Sequence, residues 1–411
     1  MSFLSPTIRS QQIVNEKLLN GETVYNFGLG SNPFPPHKSL IERLKTSSHM
    51  KNYTYPDGDK ELKTIIRGKY NTPEYKVKNI LVGNGLKELL FVIQMVFKGT
   101  ILHICPAWVS YSEQTRLLNK KTVEITANYE NGYKITPGDL EVGILRCGNE
   151  KILLLLNSPN NPTGIFYTDK ELYNLSLVIN KYRDKIVVFS DEIYKKIVFS
   201  GKEVPSISKY VENTICGSSL SKEAACGGWR MGWLTFPDCL DDIYSDAYQA
   251  ISTMYSCVSQ PFIEVAKEFL VNKDNILYAK HMSTIFQQAS NAVINTIEDI
   301  NRVNREKNKD MGEIKVINNT SAWYLFLNVD SFAEILQKNK INDSKDLTQR
   351  LMDDINVVAV AGLYFGFSGY YLRISCVDFV IDGDGNISDN AFNHIKEGSR
   401  KLASWFYQLY Q

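Results

Sequence analysis

The stretch Ser219-Leu220-Ser221-Lys222, followed by Gly227-Gly228-Trp229-Arg230-Met231-Gly232, decides how this chain is interpreted. A lysine follows two hydroxyl residues, and a glycine-rich turn brings in an arginine eight residues later. A lysine amine can form a Schiff base with an aldehyde cofactor, and a nearby fixed cation lowers the pKa of that amine. Lys222 taken alone would be interpreted as a solvated surface lysine. The segments that precede it in the chain are what favour a reactive amine.

The composition narrows the class of protein. The 411 residues are 44% hydrophobic and 22% charged, so the chain can form a sizeable core in two or three domains. A formal net charge of +1 argues against a nucleic-acid or membrane-surface partner. Seven widely spaced cysteines and five histidines show no metal-ligand spacing, so we expect no metal site. Reduced thiols and an N-terminus without an apolar signal segment predict a cytoplasmic protein.

The order of predicted elements indicates the fold. Strands alternate with helical segments from about residue 75 to 236, which predicts an α/β fold with a mostly parallel sheet flanked by helices. The N-terminal segment and the C-terminal third predict a smaller α+β domain. The expected divisions are an N-terminal segment at 1–45 that packs with the small domain, a large domain at 46–280 and a small C-terminal domain at 281–411.

Finer elements are also predicted from pattern. One long helix is expected from about residue 260 into the 290s, and a final helix at about 389–410. The expected strands of the small domain are 313–317, 323–328, 357–360 and 371–375.

Residues able to do chemistry follow the predicted strands of the large domain. Ligands of open α/β sheets bind beyond the carboxyl ends of the strands. The residues in such positions are Gly85, Trp108, Asn161, Asp191 and Lys222. The glycine-rich turn at 83–88 opens a helix, whose N-terminus suits a phosphate. It does not match the dinucleotide fingerprint, because Glu88 stands where the third glycine belongs.

Three motifs together carry a family resemblance. They are Asn157-Ser158-Pro159-Asn160-Asn161-Pro162-Thr163-Gly164, Ser190-Asp191-Glu192-Ile193-Tyr194 and the opening stretch, in that order. The chain resembles the fold-type I pyridoxal-phosphate enzymes of the class I/II aminotransferase family, in the branch that contains aspartate aminotransferases. The resemblance implies an aminotransferase that moves an amino group between an L-amino acid and a 2-oxo acid. The implied route is a ping-pong cycle through an internal aldimine.

The resemblance also implies roles at the cofactor. Lys222 would carry the internal aldimine and move a proton, and Asp191 would pair with the pyridine nitrogen. Tyr194 and Asn161 would hydrogen-bond the ring O3′ atom, and Trp108 would stack on the ring. The implied phosphate ligands are Gly85, Leu86, Ser219, Arg230 and Tyr53.

Substrate binding and assembly are implied in the same way. Arg373 matches the arginine that binds the substrate α-carboxylate, since its planar fork suits a carboxylate. Gly30 matches a loop glycine that closes over that carboxylate, and Asn161 also faces the substrate. Tyr53 matches a tyrosine that reaches the neighbouring subunit's phosphate, so the resemblance implies an obligate homodimer.

The chain departs from the family pattern at several positions. Ala107 replaces a common aromatic residue, Cys226 and Gly227 loosen the segment before Arg230, and Phe34-Pro35-Pro36-His37 differs from the usual loop. No arginine for a substrate side-chain carboxylate is identified, which leaves the amino donor open. A lyase, a decarboxylase or an oxidase that acts at the α-carbon with the same cofactor remains an alternative. A regulator with an aminotransferase-like domain is disfavoured, because no DNA-binding motif precedes the Gly30 loop.

Overall fold

A computed structural model describes residues 6–411, and side chains are described from residue 11 onward. The helices are α1 (Pro6–Leu19), α2 (Lys38–Ser47), α3 (Lys60–Tyr70), α4 (Leu86–Val96), α5 (Val109–Leu117), α6 (Pro137–Arg146), α7 (Asp169–Lys181), α8 (Leu220–Glu223), α9 (Asp241–Met254), α10 (Gln260–Val271), α11 (Lys273–Lys307), α12 (Ala333–Lys338), α13 (Ser344–Ile355) and α14 (Asn393–Gln408). The strands are β1 (Tyr25–Asn26), β2 (Asn79–Gly83), β3 (Thr100–Cys105), β4 (Thr122–Thr126), β5 (Ile152–Asn157), β6 (Ile186–Asp191), β7 (Thr214–Ser219), β8 (Gly232–Phe236), β9 (Tyr324–Asn328), β10 (Val357–Val358), β11 (Val360–Ala361) and β12 (Tyr371–Ser375).

The chain divides into two compact units. The large unit comprises residues 35–160 and 166–281, and the small unit comprises residues 6–34, 161–165 and 282–411. The predicted domain boundaries after residues 45 and 280 stay a prediction.

The large unit is built on a seven-stranded sheet in the order β2-β8-β7-β6-β5-β3-β4. Strand β8 runs antiparallel to both of its neighbours, and the remaining pairs are parallel. Every residue of β5 is buried, which is typical of a strand covered by helices on both faces. The predicted α/β fold with a mostly parallel sheet is confirmed.

The two faces of this sheet have different surroundings. Val188 of β6 and Cys216 of β7 belong to the apolar clusters that α3, α7 and α10 cover. Gly217 faces α4, because a Cβ atom there would lie 2.5 Å from Leu86 Cδ1. Since side chains alternate along a strand, Ser219 shares the α4 face with Gly217. Asp191 pairs in register with Gly217 and also lies on this face.

The small unit contains a three-stranded antiparallel sheet in the order β11-β12-β9 and a parallel pair of β1 with β10. These strands and the helices α12, α13 and α14 form the predicted α+β unit. The prediction of a strand at 313–317 is wrong. Only Lys315 makes an isolated bridge, to Asn328.

The long helix predicted from about residue 260 is interrupted. Asn272 leaves the helical conformation with a ψ of 120°, and its side-chain Oδ1 accepts a hydrogen bond from the Asp274 N–H group at 2.9 Å. An asparagine side chain that satisfies a backbone donor in this way favours a helix start over a helix interior. Within residues 6–411, no helix has the length and apolar character needed to cross a bilayer.

Candidate active site

An anion-binding corner forms where β2 meets α4. Gly85 precedes α4 with φ 89° and ψ 160°, a conformation that essentially only glycine adopts. The Arg230 side chain donates to Asn84 O at 2.9 Å and to Gly227 O at 2.7 Å. A Cβ atom on Gly85 would lie 2.4 Å from Arg230 Nη2, so only a glycine leaves room for this guanidinium group. A helix N-terminus and an arginine therefore converge on one point, which suits a phosphate.

Ser219 belongs to the same corner. It is the last residue of β7, is fully buried, and pairs in register with Gly232 of β8. A Cβ atom on Gly232 would lie 2.8 Å from the Leu86 backbone nitrogen. The Ser219 hydroxyl accepts a hydrogen bond from the Ser221 N–H group at 3.2 Å. The structure therefore brings together the predicted phosphate ligands Gly85, Leu86, Ser219 and Arg230.

Asp191 is a buried carboxylate at the end of β6. One carboxylate oxygen accepts a hydrogen bond from the Tyr111 hydroxyl at 2.6 Å, and the other accepts one from the Ile193 N–H group at 3.2 Å. Burial raises the pKa of Asp191 to about 6, although both hydrogen bonds and the Lys222 charge act to lower it. A cationic partner would stabilise this carboxylate, because a neighbouring positive charge favours the ionised form.

Lys222 lies in the short helix α8, directly after β7. Its Nζ atom lies 5.9 Å from the centre of the Tyr194 ring, and its charge acts on Asp191. Tyr194 is buried on the turn that follows β6. The three residues predicted to be catalytic therefore lie together after two adjacent strands of the sheet.

Trp108 lies directly before α5. Its ring meets the Tyr111 ring edge-on, with the ring centres 5.6 Å apart. The Lys87 ammonium group lies 4.9 Å from the centre of the Trp108 ring. The predicted aromatic residue is thus part of the same group of side chains in the large unit.

Sequence reasoning missed Tyr111 and Lys87. The signal for Tyr111 was its position three residues after Trp108 at the start of a helix, where such a spacing puts two side chains on one face. Lys87 follows Gly85 and Leu86 in the first turn of α4, where a lysine adds positive charge beside the helix N-terminus. Neither position could be recognised as part of the site from pattern alone, since each also fits an ordinary amphipathic helix.

The residues of the large unit fit pyridoxal 5′-phosphate. The corner at Gly85 and Arg230 suits its phosphate, and the Lys222 amine suits its aldehyde. The buried Asp191 carboxylate, with its raised pKa, suits a protonated pyridine nitrogen. A ligand that lacked any of these three parts would leave one of the converging groups unused.

Arg373 forms the core of a second constellation, in the small unit. It lies in the middle of β12, is 2% exposed, and donates from Nη2 to Gly28 O at 2.6 Å. Its guanidinium carbon lies 4.9 Å from the centre of the Tyr324 ring and 5.6 Å from that of Phe365. A Cβ atom on Gly30 would lie 3.9 Å from Arg373 Nη1, so the predicted loop glycine lies near the predicted arginine.

Asn161 also belongs to the small unit and is 5% exposed. The segment 161–165 is held there by Gly164, whose carbonyl oxygen accepts hydrogen bonds from the backbone N–H groups of Thr320 and Ser321, both at 2.9 Å. Tyr53 lies in the large unit and is 87% exposed, with its proposed role still a prediction.

Comparison with known proteins identifies the family. Residues 22–378 match the model for aminotransferase class I and II. The aspartate aminotransferase of Bacillus subtilis (strain 168) is 31% identical over 287 residues, which cover 63% of this chain and 71% of that protein. The aspartate aminotransferase of Bacillus sp. (strain YM-2) is 26% identical over 377 residues, or 88% of this chain and 89% of that protein.

A solved structure confirms the fold. The aspartate aminotransferase from Rhizobium meliloti superposes with a TM-score of 0.82 at 23% identity and covers 98% of this chain and 96% of that chain. The alternative of a lyase, decarboxylase or oxidase is not favoured by these relatives. The chain therefore belongs to the class I and II aminotransferase family and is an aminotransferase.

Proposed function

We propose that pyridoxal 5′-phosphate binds in the large unit and that the enzyme moves an amino group from an L-amino acid to a 2-oxo acid. The observation that carries the proposal is Asp191, a buried carboxylate whose pKa burial raises to about 6. It shares the α4 face of the sheet with Ser219, and its neighbour Lys222 follows the next strand. A buried acid beside an amine and an anion corner is costly for the fold unless a ligand uses all three.

Backbone and side-chain groups of the large unit would hold the cofactor. The phosphate would be bound by Arg230, Ser219 and the backbone at Gly85 and Leu86, and the ring would lie against Trp108. Asp191 would hold the proton on the ring nitrogen, and the Tyr111 hydroxyl would keep the Asp191 side chain in one orientation through its 2.6 Å hydrogen bond. Tyr194 would hydrogen-bond the ring hydroxyl, and the same role is proposed for Asn161.

Lys222 would be the acid–base group of the transfer. The chemistry supplied by bound pyridoxal phosphate is an aldehyde carbon that takes the amino group and a ring that takes up electrons. Lys222 Nζ would carry the proton from the substrate α-carbon to the carbon that receives the amino group, and would carry it back in the reverse direction. The Tyr194 ring beside Lys222 limits the positions that the amine can occupy. Burial of Asp191 and Tyr194 keeps water away from the charges that develop.

Arg373 would bind the α-carboxylate of the substrate. Its hydrogen bond to Gly28 O and its two aromatic neighbours fix the guanidinium plane, which a bidentate carboxylate contact requires. L-Aspartate is the proposed amino donor, because the relatives described above are named aspartate aminotransferases.

Assembly and location are proposed on separate grounds. We propose a homodimer in which Tyr53 contacts the phosphate of the neighbouring subunit, since its ring is 87% exposed on the loop before α3. We propose a cytoplasmic location from the odd number and wide spacing of the seven cysteines.

The test is a direct product assay. Purified protein with added pyridoxal phosphate is mixed with L-aspartate and 2-oxoglutarate, and the new amino acid and new oxo acid are quantified by chromatography. Equal amounts of glutamate and oxaloacetate support the proposal, and Lys222→Ala should form neither. A protein that releases ammonia or CO₂ without consuming the 2-oxo acid would contradict it. Screening other amino acids in the same assay identifies the donor if aspartate fails.

A further inference from the structure

Glu223 immediately follows Lys222 and is a buried acid outside the set of residues described above. It is the last residue of α8 and is 3% exposed. Its Oε1 atom accepts a hydrogen bond from the Lys196 N–H group at 2.8 Å. A carboxylate so completely buried is uncommon unless it has a specific partner, and here that partner belongs to a different chain segment.

This hydrogen bond joins the two segments that carry the proposed catalytic residues. Lys196 lies two residues after Tyr194, on the turn that follows β6, whereas Glu223 ends α8, the short helix that follows β7. The β6 turn is also held by its own acid, because Glu192 accepts hydrogen bonds from Lys195 at 2.8 Å and Ser190 at 3.1 Å. Glu223 adds a side-chain contact from α8, which carries Lys222, to this turn.

We propose that Glu223 is a positioning residue for amino-group transfer, in which its carboxylate holds α8, which carries Lys222, against the turn that carries Tyr194 and directly follows Asp191. The inference rests on the proposed function of Lys222. Without the link, the Lys222 amine could shift relative to Asp191 while both side chains remain present. A misplacement of about 1 Å at a catalytic group lowers a rate by about a hundredfold.

Glu223 also lines a cavity of the large unit. Glu223, Glu192 and Ser218 line a cavity of about 1050 Å³ within the large unit. Trp233 and Phe269 also line it, which places it on the face of the sheet opposite to α4. The cavity therefore lies on the face of the sheet away from the proposed cofactor side.

The charges that face Glu223 come from two elements. Lys195, Lys196 and Glu192 lie on the β6 turn. The Tyr70 hydroxyl lies at the end of α3, and the Glu223 charge contributes to raising the pKa of Tyr70. Burial raises the pKa of Glu223 to about 7, against the lowering effect of the two lysines. The ionised form makes the stronger hydrogen bond to the Lys196 N–H group, so the link should be strongest above about pH 7.

The test compares two variants at Glu223 with a matched buried acid. Glu223→Ala removes the acceptor, and Glu223→Gln keeps an oxygen acceptor without the charge. Glu264→Gln is the control, because Glu264 is 5% exposed in the same unit and is bound by Lys267 on α10. The measurements are kcat and KM from pH 5.5 to 9, thermal unfolding, and hydrogen exchange of the Lys196 amide.

We expect Glu223→Ala to lower kcat by ten- to a hundredfold with little change in KM and to speed exchange of the Lys196 amide. Glu223→Gln should keep most of kcat but lose the ionisation near pH 7 from the kcat profile. Glu264→Gln should change thermal unfolding alone. Wild-type kcat and pH dependence in Glu223→Ala would overturn the inference, provided that Lys222→Ala is inactive. If Lys222→Ala retained transfer activity, the proposed function would fail instead.

Discussion

Replacing Gly85 with alanine tests the anion corner at its most restricted point. The φ of 89° and ψ of 160° at Gly85 cost a residue with a Cβ atom about 1–3 kcal/mol. The new Cβ atom would lie 2.4 Å from Arg230 Nη2 and 2.9 Å from its guanidinium carbon. Arg230 is exposed and can swing away, so we expect the fold to survive and the guanidinium group to leave its position beside Asn84 O.

The expected loss falls on cofactor affinity. A hydrogen bond to a charged group contributes about 1.5–3 kcal/mol, so losing the Arg230 contact should weaken binding by about ten- to a hundredfold. The assay is an equilibrium titration of cofactor-free protein with pyridoxal phosphate, followed by the quenching of tryptophan fluorescence.

Gly228→Ala is the matched control in the same region. A Cβ atom on Gly228 would meet nothing within 4 Å, and the φ angle of Gly228 is not positive. The affinity of Gly228→Ala for pyridoxal phosphate should therefore equal that of wild type. Equal affinities for Gly85→Ala and wild type would refute the assignment of this corner to the phosphate. A loss of affinity in both variants would show that any substitution in this region weakens cofactor binding, so the loss in Gly85→Ala could not be assigned to the contact with Arg230.

Three further predictions follow from single contacts. Tyr111→Phe removes the hydrogen bond that lowers the pKa of Asp191, so the acid limb of the kcat profile should move to higher pH and kcat should fall by about tenfold. An unchanged profile would contradict this role. Arg373→Lys should raise KM for the amino acid at least about tenfold with a smaller effect on kcat, because lysine cannot form the bidentate contact; steady-state kinetics check this, and an unchanged KM would exclude Arg373 as the carboxylate ligand. Glu223 has a pKa raised from 4.5 to about 7, so the folded state holds a proton that the unfolded state has released, and wild-type stability should fall as pH rises through this window. In urea unfolding, the free energy of unfolding of wild type should be lower at pH 8 than at pH 5 by up to about 3 kcal/mol, and Glu223→Gln should reduce this difference. An equal pH dependence in both proteins would contradict the raised pKa of Glu223.

The large unit was predictable from sequence because its strands are long apolar runs separated by helical segments. The residues that follow β6 and β7 could be assigned for the same reason, since each strand end fixes the position of the next few residues. The segment at 313–317 has an alternating pattern but pairs at Lys315 alone. The pattern of one strand does not reveal whether a partner with matching register exists.

Contacts between distant segments were not predictable. Tyr111 and Asp191 are 80 residues apart, and Glu223 and Lys196 are 27 residues apart. Nothing in the local pattern of Tyr111 or Glu223 distinguishes a buried polar contact from a solvent-facing side chain. The interruption at Asn272 was missed for a related reason, because one asparagine lowers helix propensity only slightly and its capping bond appears only in three dimensions.

Lys222 is the residue proposed to bond to the cofactor. The most direct measurement is reduction of the protein with sodium borohydride in the presence of pyridoxal phosphate, followed by proteolysis and peptide mass spectrometry. We predict one phosphopyridoxyl group per chain, on the peptide that contains Lys222, and none when L-aspartate is added first without a 2-oxo acid. A label on another lysine, such as Lys195 or Lys87, or no label at all, would contradict the claim.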